Sequence, residues 1–226
     1  MKPAIFNTEM VRAILDDRKT NTRRPFSKYI EKVIKYAQLL GEIGSNGVDR
    51  PFSNGDIKYL LEFAPYKVGD IIYVRETWSD YPKNYVWYKA DFPLHWDAKD
   101  TEHGEEVHIE ADNVKWKPSI YMPKEYARLF LRVKDVRIER LNEISEGDAV
   151  AEGIEVIDGV YDGHEYHPVY FKNYMYGKND SMRFLVSAQS SFKTLWESIY
   201  GDRSFDNRYV WVTEFEQISK EEAING

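Results

Sequence analysis

The segment Arg128 to Leu141 constrains the fold most, because its apolar residues change sides partway along. The two halves hold opposite parities of an extended strand, first Leu129, Leu131 and Val133, then Val136 and Ile138. A bulge near Lys134-Asp135 would reconcile them, since one extra residue moves every following side chain to the other face. A long, bent strand of this kind serves both sides of a small closed barrel, so the segment predicts one.

Other segments predict helices and strands in no repeating order. The predicted helices are one capped at Asn7 or Thr8, one near Ile30 to Leu40, a short one from Ser145 to Gly153, and Phe192 to Ile199. The other predicted strands are Ile71 to Trp78, its partner Tyr85 to Ala90, a hairpin after Glu155, and Tyr209 to Ile218. Because strand-helix-strand units do not repeat, we expect an α+β fold, a small mixed β-barrel with flanking helices.

Length and composition favour one domain over residues 1–226. The chain has 226 residues of which 42% are hydrophobic, enough for a substantial core. No Ser/Gly or Pro tract separates two halves, and no internal repeat is visible. Three stretches of weak periodicity, rich in Gly, charge or Tyr, are expected to be insertions at about 28–66, 91–115 and 155–185.

Composition also excludes several classes of protein. The absence of Cys excludes disulfides, thiolate zinc sites and cysteine nucleophiles, and it favours the cytoplasm. Met1 to Phe6 has no signal-peptide core and no apolar run approaches ~20 residues, so no membrane association is expected. The net charge of -7 disfavours extended binding to duplex nucleic acid, which needs a wide basic face.

The segment Arg18 to Arg24 is the strongest local signal for function. It concentrates cations and hydrogen-bonding side chains in an otherwise acidic chain: Arg18, Lys19, Thr20, Asn21, Thr22, Arg23 and Arg24. A solvated turn that merely carries charge is the simpler interpretation of such a cluster taken alone. A polar binding site is the alternative, and the surrounding motifs favour it.

Several motifs occur in an order that resembles the ASCH family. They are R-K-T-N-T-R-R at Arg18 to Arg24, the strand motif at Gly69 to Val74, the helix motif at Leu141 to Ile154, the helix Phe192 to Tyr200 and the strand Val210 to Phe215. Together the motifs cover about half the chain, with insertions between them. Val74 to Trp78 and Trp116 to Pro123 are similar to ASCH proteins carried by tailed phages and prophages.

The resemblance implies a PUA-like β-barrel with a cleft at one end, a scaffold associated with RNA and modified-base recognition. Some compact ASCH proteins are amidohydrolases that remove the acyl group from N4-acetylcytidine, using a Lys, a Thr three residues later and a Glu in the short helix. Those positions here are Lys19, Thr22 and Glu152. A phage-encoded member would act in the cytoplasm of a bacterial host.

The chemistry of this trio can be argued from the residue types. A Thr hydroxyl attacks an amide only when a base takes its proton, and Lys19 is the candidate base because burial and neighbouring cations lower a lysine pKa. Glu152, at a helix C-terminus, would protonate the leaving N4. Arg18, Asn21 and Arg24 would hold the substrate. In an ideal strand Lys19 and Thr22 face opposite sides, so Lys19 is expected in a turn.

Three functions remain open from the sequence. The first is recognition of a pyrimidine nucleoside or single-stranded RNA with hydrolysis of an N4-acylated cytidine. The second is a non-catalytic reader of RNA or modified bases, and the third is a phage assembly or interaction protein. Basic and acidic groups in an RNA-sized cleft also suit phosphodiester chemistry.

No cofactor or metal is expected. The chain lacks the phosphate-binding, dinucleotide-binding and G-x-S-x-G motifs. The pair His164 and His167 lies among turn signals, and His95, His103 and His108 show no ligand spacing, so surface positions are the better interpretation.

Overall fold

A computed structural model describes residues 1–40, 52–80, 86–92, 95–99, 106–110, 114–161, 166–176 and 182–225. The strands are β1 Lys2–Ile5, β2 Asn21–Pro25, β3 Ile71–Arg75, β4 Trp78–Ser79, β5 Trp87–Tyr88, β6 His95–Lys99, β7 Glu106–Glu110, β8 Phe130–Arg140, β9 Val156–Tyr161, β10 Tyr166–Lys172, β11 Phe184–Leu185 and β12 Tyr209–Ile218. The α-helices are α1 Thr8–Leu15, α2 Lys28–Leu39, α3 Asn54–Leu61, α4 Glu146–Ala151, α5 Ala188–Tyr200 and α6 Lys220–Asn225. The protein is therefore α+β, as the sequence predicts.

The main sheet has five strands in the hydrogen-bonded order β1-β3-β8-β12-β2. Within the described residues no strand pairing closes this sheet into a barrel. The chain folds into two compact units. The first unit comprises Met1–Asp17, Asp70–Arg132 and Gln217–Gly226, and the second comprises Arg18–Gly69 and Val133–Glu216.

In the first unit β1 pairs in parallel with β3, which pairs antiparallel with the start of β8. Helix α1 begins where the Asn7 side chain accepts a hydrogen bond from the Met10 amide at 2.8 Å, so Asn7 is the cap among the two predicted candidates, Asn7 and Thr8. The predicted strand over Ile71 to Trp78 is interrupted, giving β3 and then β4, and β4 pairs with β5.

A buried ion pair also lies in the first unit. The Arg128 guanidinium holds both carboxylate oxygens of Glu76, at 2.9 and 3.0 Å, and donates to Asp91 at 2.7 Å. The Glu76 side chain is 1% exposed and that of Arg128 is 25% exposed. The guanidinium also lies 4.0 Å from the centre of the Tyr88 ring, so it is held on two sides.

In the second unit β2 pairs antiparallel with β12. One apolar cluster joins the region of α4 to α5 and the start of β12, with Leu141, Ile144, Phe192, Leu195, Trp196, Val210 and Val212 at its centre. A second cluster packs α2 and α3 against the sheet through Phe26, Ile30, Phe52, Leu60 and Trp211, with Val136 and Ile138 beside it. The expected insertion at about 28–66 thus includes two helices that contribute to this core; its residues 41–51 lie outside the described part.

The predicted helices are confirmed, and so are two strand pairings, that of β4 with β5 and the hairpin after Glu155. Ser145 caps α4, Gly153 follows it at φ 83°, a left-handed conformation that favours glycine, and β9 pairs with β10 as a hairpin. The expected excursion at 91–115 contains a two-stranded pairing of β6 with β7. The bulge near Lys134-Asp135 stays a prediction, and the candidate histidine ligands lie outside the described side chains. Among the described helices, none has the length and apolarity that a bilayer span needs.

Candidate functional site

Lys19, just before β2, and Glu152, at the end of α4, lie next to each other. These residues form an isolated antiparallel β-bridge, and the Thr20 amide donates to the Ala151 carbonyl at 2.9 Å. Glu152 is the C-cap residue of α4, where the helix gives way to Gly153. Backbone pairing therefore fixes the main-chain positions from which the Lys19 and Glu152 side chains extend.

Lys19 uses every hydrogen-bond donor of its ammonium group. Its Nζ donates to the Glu152 carboxylate at 2.8 Å, to the Glu152 carbonyl at 2.8 Å and to the Asn21 carbonyl at 2.7 Å. The two side chains are 0% and 2% exposed. They form a charge pair that is shielded from solvent.

Arg23 is the third buried member of this group. Its Nη1 donates to Glu152 Oε1 at 3.2 Å, and its Nη2 donates to Glu139 at 2.6 Å. Arg137 continues the network outward by donating to Glu139 at 2.5 Å and to Asp148 at 3.1 Å. The network thus runs from a buried lysine to partly exposed carboxylates.

Strand alternation decides which predicted residues join the network. The side chains of Lys19, Asn21 and Arg23 all reach it, with Asn21 Nδ2 donating to Asp148 at 3.1 Å. Successive side chains of a strand point to opposite faces, so Thr22 and Arg24 lie on the other face of β2. Lys19 lies in the β-bridge before β2, not in the turn that its predicted partnership with Thr22 requires.

The remaining predicted residues surround the network without entering it. Arg18 donates to the Gly153 carbonyl at 2.9 Å and is half-buried. Thr22 is buried and is the cross-strand partner of Thr213, and its hydroxyl makes no hydrogen bond to Lys19 or Glu152. Arg24 is the cross-strand partner of Trp211 and is half-buried.

Two buried polar atoms of the network have no hydrogen-bond partner among the described residues. They are the side-chain oxygen of Asn21 and the Nε of Arg23. A buried acceptor or donor without a hydrogen bond lowers stability by about 1–3 kcal/mol, so we expect water or a ligand to form hydrogen bonds with these two atoms. This acceptor and donor are complementary to an amide.

The charge state of Lys19 is set mainly by burial. Removal of the ammonium from water lowers the pKa of Lys19 below its usual 10.5, and the charges of Arg24 and Arg23 lower it further. The attraction of Glu152 opposes this shift. The direction agrees with the expectation that Lys19 loses its proton more readily than a free lysine.

This shift predicts how stability depends on pH. Between the lowered pKa and about 10.5 the unfolded chain binds a proton that the folded chain has released, so the Lys19 contribution to the unfolding free energy rises with pH, by at most about 1.4 kcal/mol per unit. Urea unfolding of the wild type and Lys19→Met at pH 7.5, 8.5 and 9.5 measures it. The difference between the two should grow with pH, whereas the exposed control Lys193→Met should give a constant difference. A difference that shrinks as pH rises would contradict the assignment.

Arg23, Arg137, Glu139 and Asp148 are the site residues that the motif comparison missed. Two sequence signals point to them. Arg23 has the parity of Lys19 and Asn21, and Asp148 precedes Glu152 by four residues on one helical face. Glu139 and Arg137 share a parity in β8, which the sequence does not connect to β2.

Comparison of this chain with family models, with curated proteins and with solved structures found no match. The ASCH resemblance therefore rests on the sequence motifs alone. Within the described residues, no group of three or more His, Cys, Asp or Glu side chains is arranged to hold a metal ion.

Proposed function

We propose that this chain is an ASCH-type, PUA-like protein that recognises a pyrimidine nucleoside and hydrolyses the amide of an N4-acylated cytidine. The observation that carries the proposal is the contact of 2.8 Å between Lys19 Nζ and Glu152 Oε2 in a position shielded from solvent. An amine and a carboxyl group in direct contact form a base and an acid that exchange one proton.

The ion pair is one proton transfer away from the reactive forms. Transfer from Lys19 to Glu152 gives a neutral amine and a neutral carboxylic acid. Burial lowers the pKa of Lys19, which favours release of its proton. The two positive neighbours of Glu152 oppose the transfer, because Arg23 and Lys19 both donate to its carboxylate. The hydrogen bond from Arg23 thus favours the charged form of the pair.

The proposed reaction returns the pair to its starting state. Neutral Lys19 takes a proton from water, the resulting hydroxide attacks the acyl carbon, and Glu152 donates its proton to N4 as the C–N bond breaks. The products are a carboxylic acid and cytidine, and the pair is again ammonium and carboxylate. Thr22 lies on the other face of β2, so attack by water fits these positions better than attack by the Thr22 hydroxyl.

Release of cytidine from N4-acetylcytidine, followed by chromatography, tests the function. We expect Lys19→Met and Glu152→Gln to reduce the rate by at least ~100-fold, the lower range for a positioned acid or base. Thr22→Val should retain the rate if water attacks and lose it if the Thr22 hydroxyl attacks. Lys193→Met is the control, and circular dichroism melts verify folding. Absence of release by the wild type, or an undiminished rate in Glu152→Gln, would overturn the hydrolytic proposal.

A second candidate, a non-catalytic reader of RNA or modified bases, is favoured by a different observation. Every donor of Lys19 is already engaged and its side chain is 0% exposed, as expected of a structural pair. Saturable, salt-sensitive binding of a short single-stranded RNA without cytidine release would identify this function. If neither cytidine release nor RNA binding is detected, the remaining candidate is a phage assembly or interaction protein.

A further inference from the structure

A cavity of about 350 Å³ lies within the second unit and outside the Lys19–Glu152 pair. Its lining comes from the start of the α3 region, the end of β8 and the start of β12: Phe52, Ile57, Ile138, Glu139, Arg140, Glu143 and Tyr209. This volume is at the lower end of small-molecule sites, which span roughly 300–1000 Å³. The size suits a single planar ring system.

Of the two carboxylates that line the cavity, one has no cationic partner among the described residues. Glu139 is already held by Arg23 at 2.6 Å and by Arg137 at 2.5 Å. Glu143 is exposed and forms no ion pair with any residue that the structure describes. Among these carboxylates, Glu143 is therefore the acceptor available to a ligand.

Arg140 supplies the donors, and its orientation is fixed. Its Nη1 donates to the Asn207 carbonyl at 2.8 Å, and its guanidinium carbon lies 4.2 Å from the centre of the Tyr209 ring. Tyr209 in turn stacks on Phe52, with ring centres 4.2 Å apart. A guanidinium held in this way presents its N–H groups in a defined place, which lowers the entropy lost on binding.

These features together exclude most ligand classes. An anion such as phosphate would meet the carboxylate of Glu143, and a cation would meet the guanidinium of Arg140. An aliphatic ligand would displace water from Glu143 and Arg140 without replacing the hydrogen bonds that the water makes. A neutral, flat molecule that offers both a donor and an acceptor satisfies the polar groups and packs its ring against Phe52, Ile57 and Ile138.

We infer that this cavity binds a nucleobase that carries an amino group beside a ring acceptor. The amino group donates to Glu143, Arg140 donates to the ring acceptor, and the ring packs on the apolar wall. Cytosine and adenine both have this edge, whereas uracil and hypoxanthine present an oxygen where the amino group would be. The choice of a nucleobase among flat, neutral ligands rests on the proposed function.

Glu139 connects this cavity with the buried network. It lines the cavity, and its carboxylate accepts from Arg23, which also donates to Glu152. Glu139, in the cavity wall, therefore lies two contacts from the Lys19–Glu152 pair.

Calorimetric titration of the full chain with cytidine, adenosine, uridine and inosine tests the inference. We expect cytidine or adenosine to bind at least ~10-fold more tightly than its oxo counterpart, which corresponds to the loss of one hydrogen bond. Glu143→Ala should weaken that binding by ~10-fold, and Ile57→Trp, which fills the cavity, should abolish it. Glu125→Ala removes an exposed carboxylate that does not line the cavity and should bind as the wild type does.

Parallel assays of N4-acetylcytidine hydrolysis keep the two proposals distinguishable. If the wild type releases cytidine but Ile57→Trp and Glu143→Ala leave every nucleoside affinity unchanged, the cavity inference fails and the hydrolytic function stands. If an amino nucleoside binds and Ile57→Trp abolishes the binding while no cytidine is released, the inference stands without the hydrolysis. Equal affinity for amino and oxo bases, or no binding of any nucleoside, would overturn the inference.

Discussion

Glu152→Ala should lower the free energy of unfolding by about 3–5 kcal/mol at neutral pH. The substitution removes the carboxylate that Lys19 contacts at 2.8 Å and Arg23 contacts at 3.2 Å. Both cationic side chains are 0% exposed, so neither can recover the lost interaction from water. Removal of one partner of a buried pair leaves an uncompensated charge, which is why the effect exceeds that of a surface ion pair.

Urea unfolding measures this effect, and the chain offers a matched control. Glu155 lies three residues further on, is exposed and pairs with Lys172 at 2.9 Å, so Glu155→Ala should change stability by less than about 1 kcal/mol. The loss of unfolding free energy in Glu152→Ala should become smaller as pH rises. An unpaired Lys19 releases its proton more readily, and the uncompensated charge then disappears. An equal effect of the two substitutions would show that the buried pair carries no special stability.

Arg128→Ala should lower the unfolding free energy by about 3 kcal/mol, the lower end for a buried pair because the Arg128 side chain is 25% exposed. Its guanidinium is bidentate to Glu76, whose side chain is 1% exposed. Burial already raises the pKa of Glu76 in spite of Arg128, and removal of the arginine would raise it further. The destabilisation should therefore diminish towards acidic pH, where Glu76 takes up a proton.

The raised pKa of Glu76 also determines how the stability of the wild type changes with pH. Between about 4.5 and its raised pKa, the folded chain holds a proton on Glu76 that the unfolded chain has lost, so stability falls as pH rises through that window. Denaturant melts of the wild type and Arg128→Ala from pH 4.5 to 7 measure both effects. Lys117→Ala breaks the exposed pair with Asp80, at 2.6 Å, and should have much less effect at any pH. A loss in Arg128→Ala no greater than in this control would refute the buried-pair argument.

Local sequence signals predicted the elements better than their arrangement. Asn7 and Ser145 are caps in the structure because their side chains satisfy amide groups that any helix start leaves free. The strands of 128–141 and 209–218 followed from apolar residues alone. How these strands pair depends on contacts between distant segments, so β8 beside β12 and β2 at an edge could not be read from periodicity.

In the candidate site, too, local patterns predicted some residues, whereas contacts between distant segments were not predictable. Motif comparison paired Lys19 with Glu152, and the structure places them in contact. The comparison grouped Thr22 with them by spacing alone, whereas a period of two gives Asn21 and Arg23 as the neighbours of Lys19. The contact of Arg23 with Glu139 at 2.6 Å joins residues 116 positions apart, and no local pattern encodes such a contact.

The chain passes repeatedly from one compact unit to the other, since Arg18–Gly69 and Val133–Glu216 build one unit while Asp70–Arg132 belongs to the other. Any fragment that retains both Lys19 and Glu152 must carry the whole of Asp70–Arg132 as well. Shortening the chain from either end therefore cannot yield a fragment that consists of the second unit alone. The second unit would be isolated by excision of Asp70–Arg132, with a short bridge from Gly69 to Val133, together with removal of residues 1–17 and 217–226. The Gly69 amide already donates to the Val133 carbonyl at 2.9 Å.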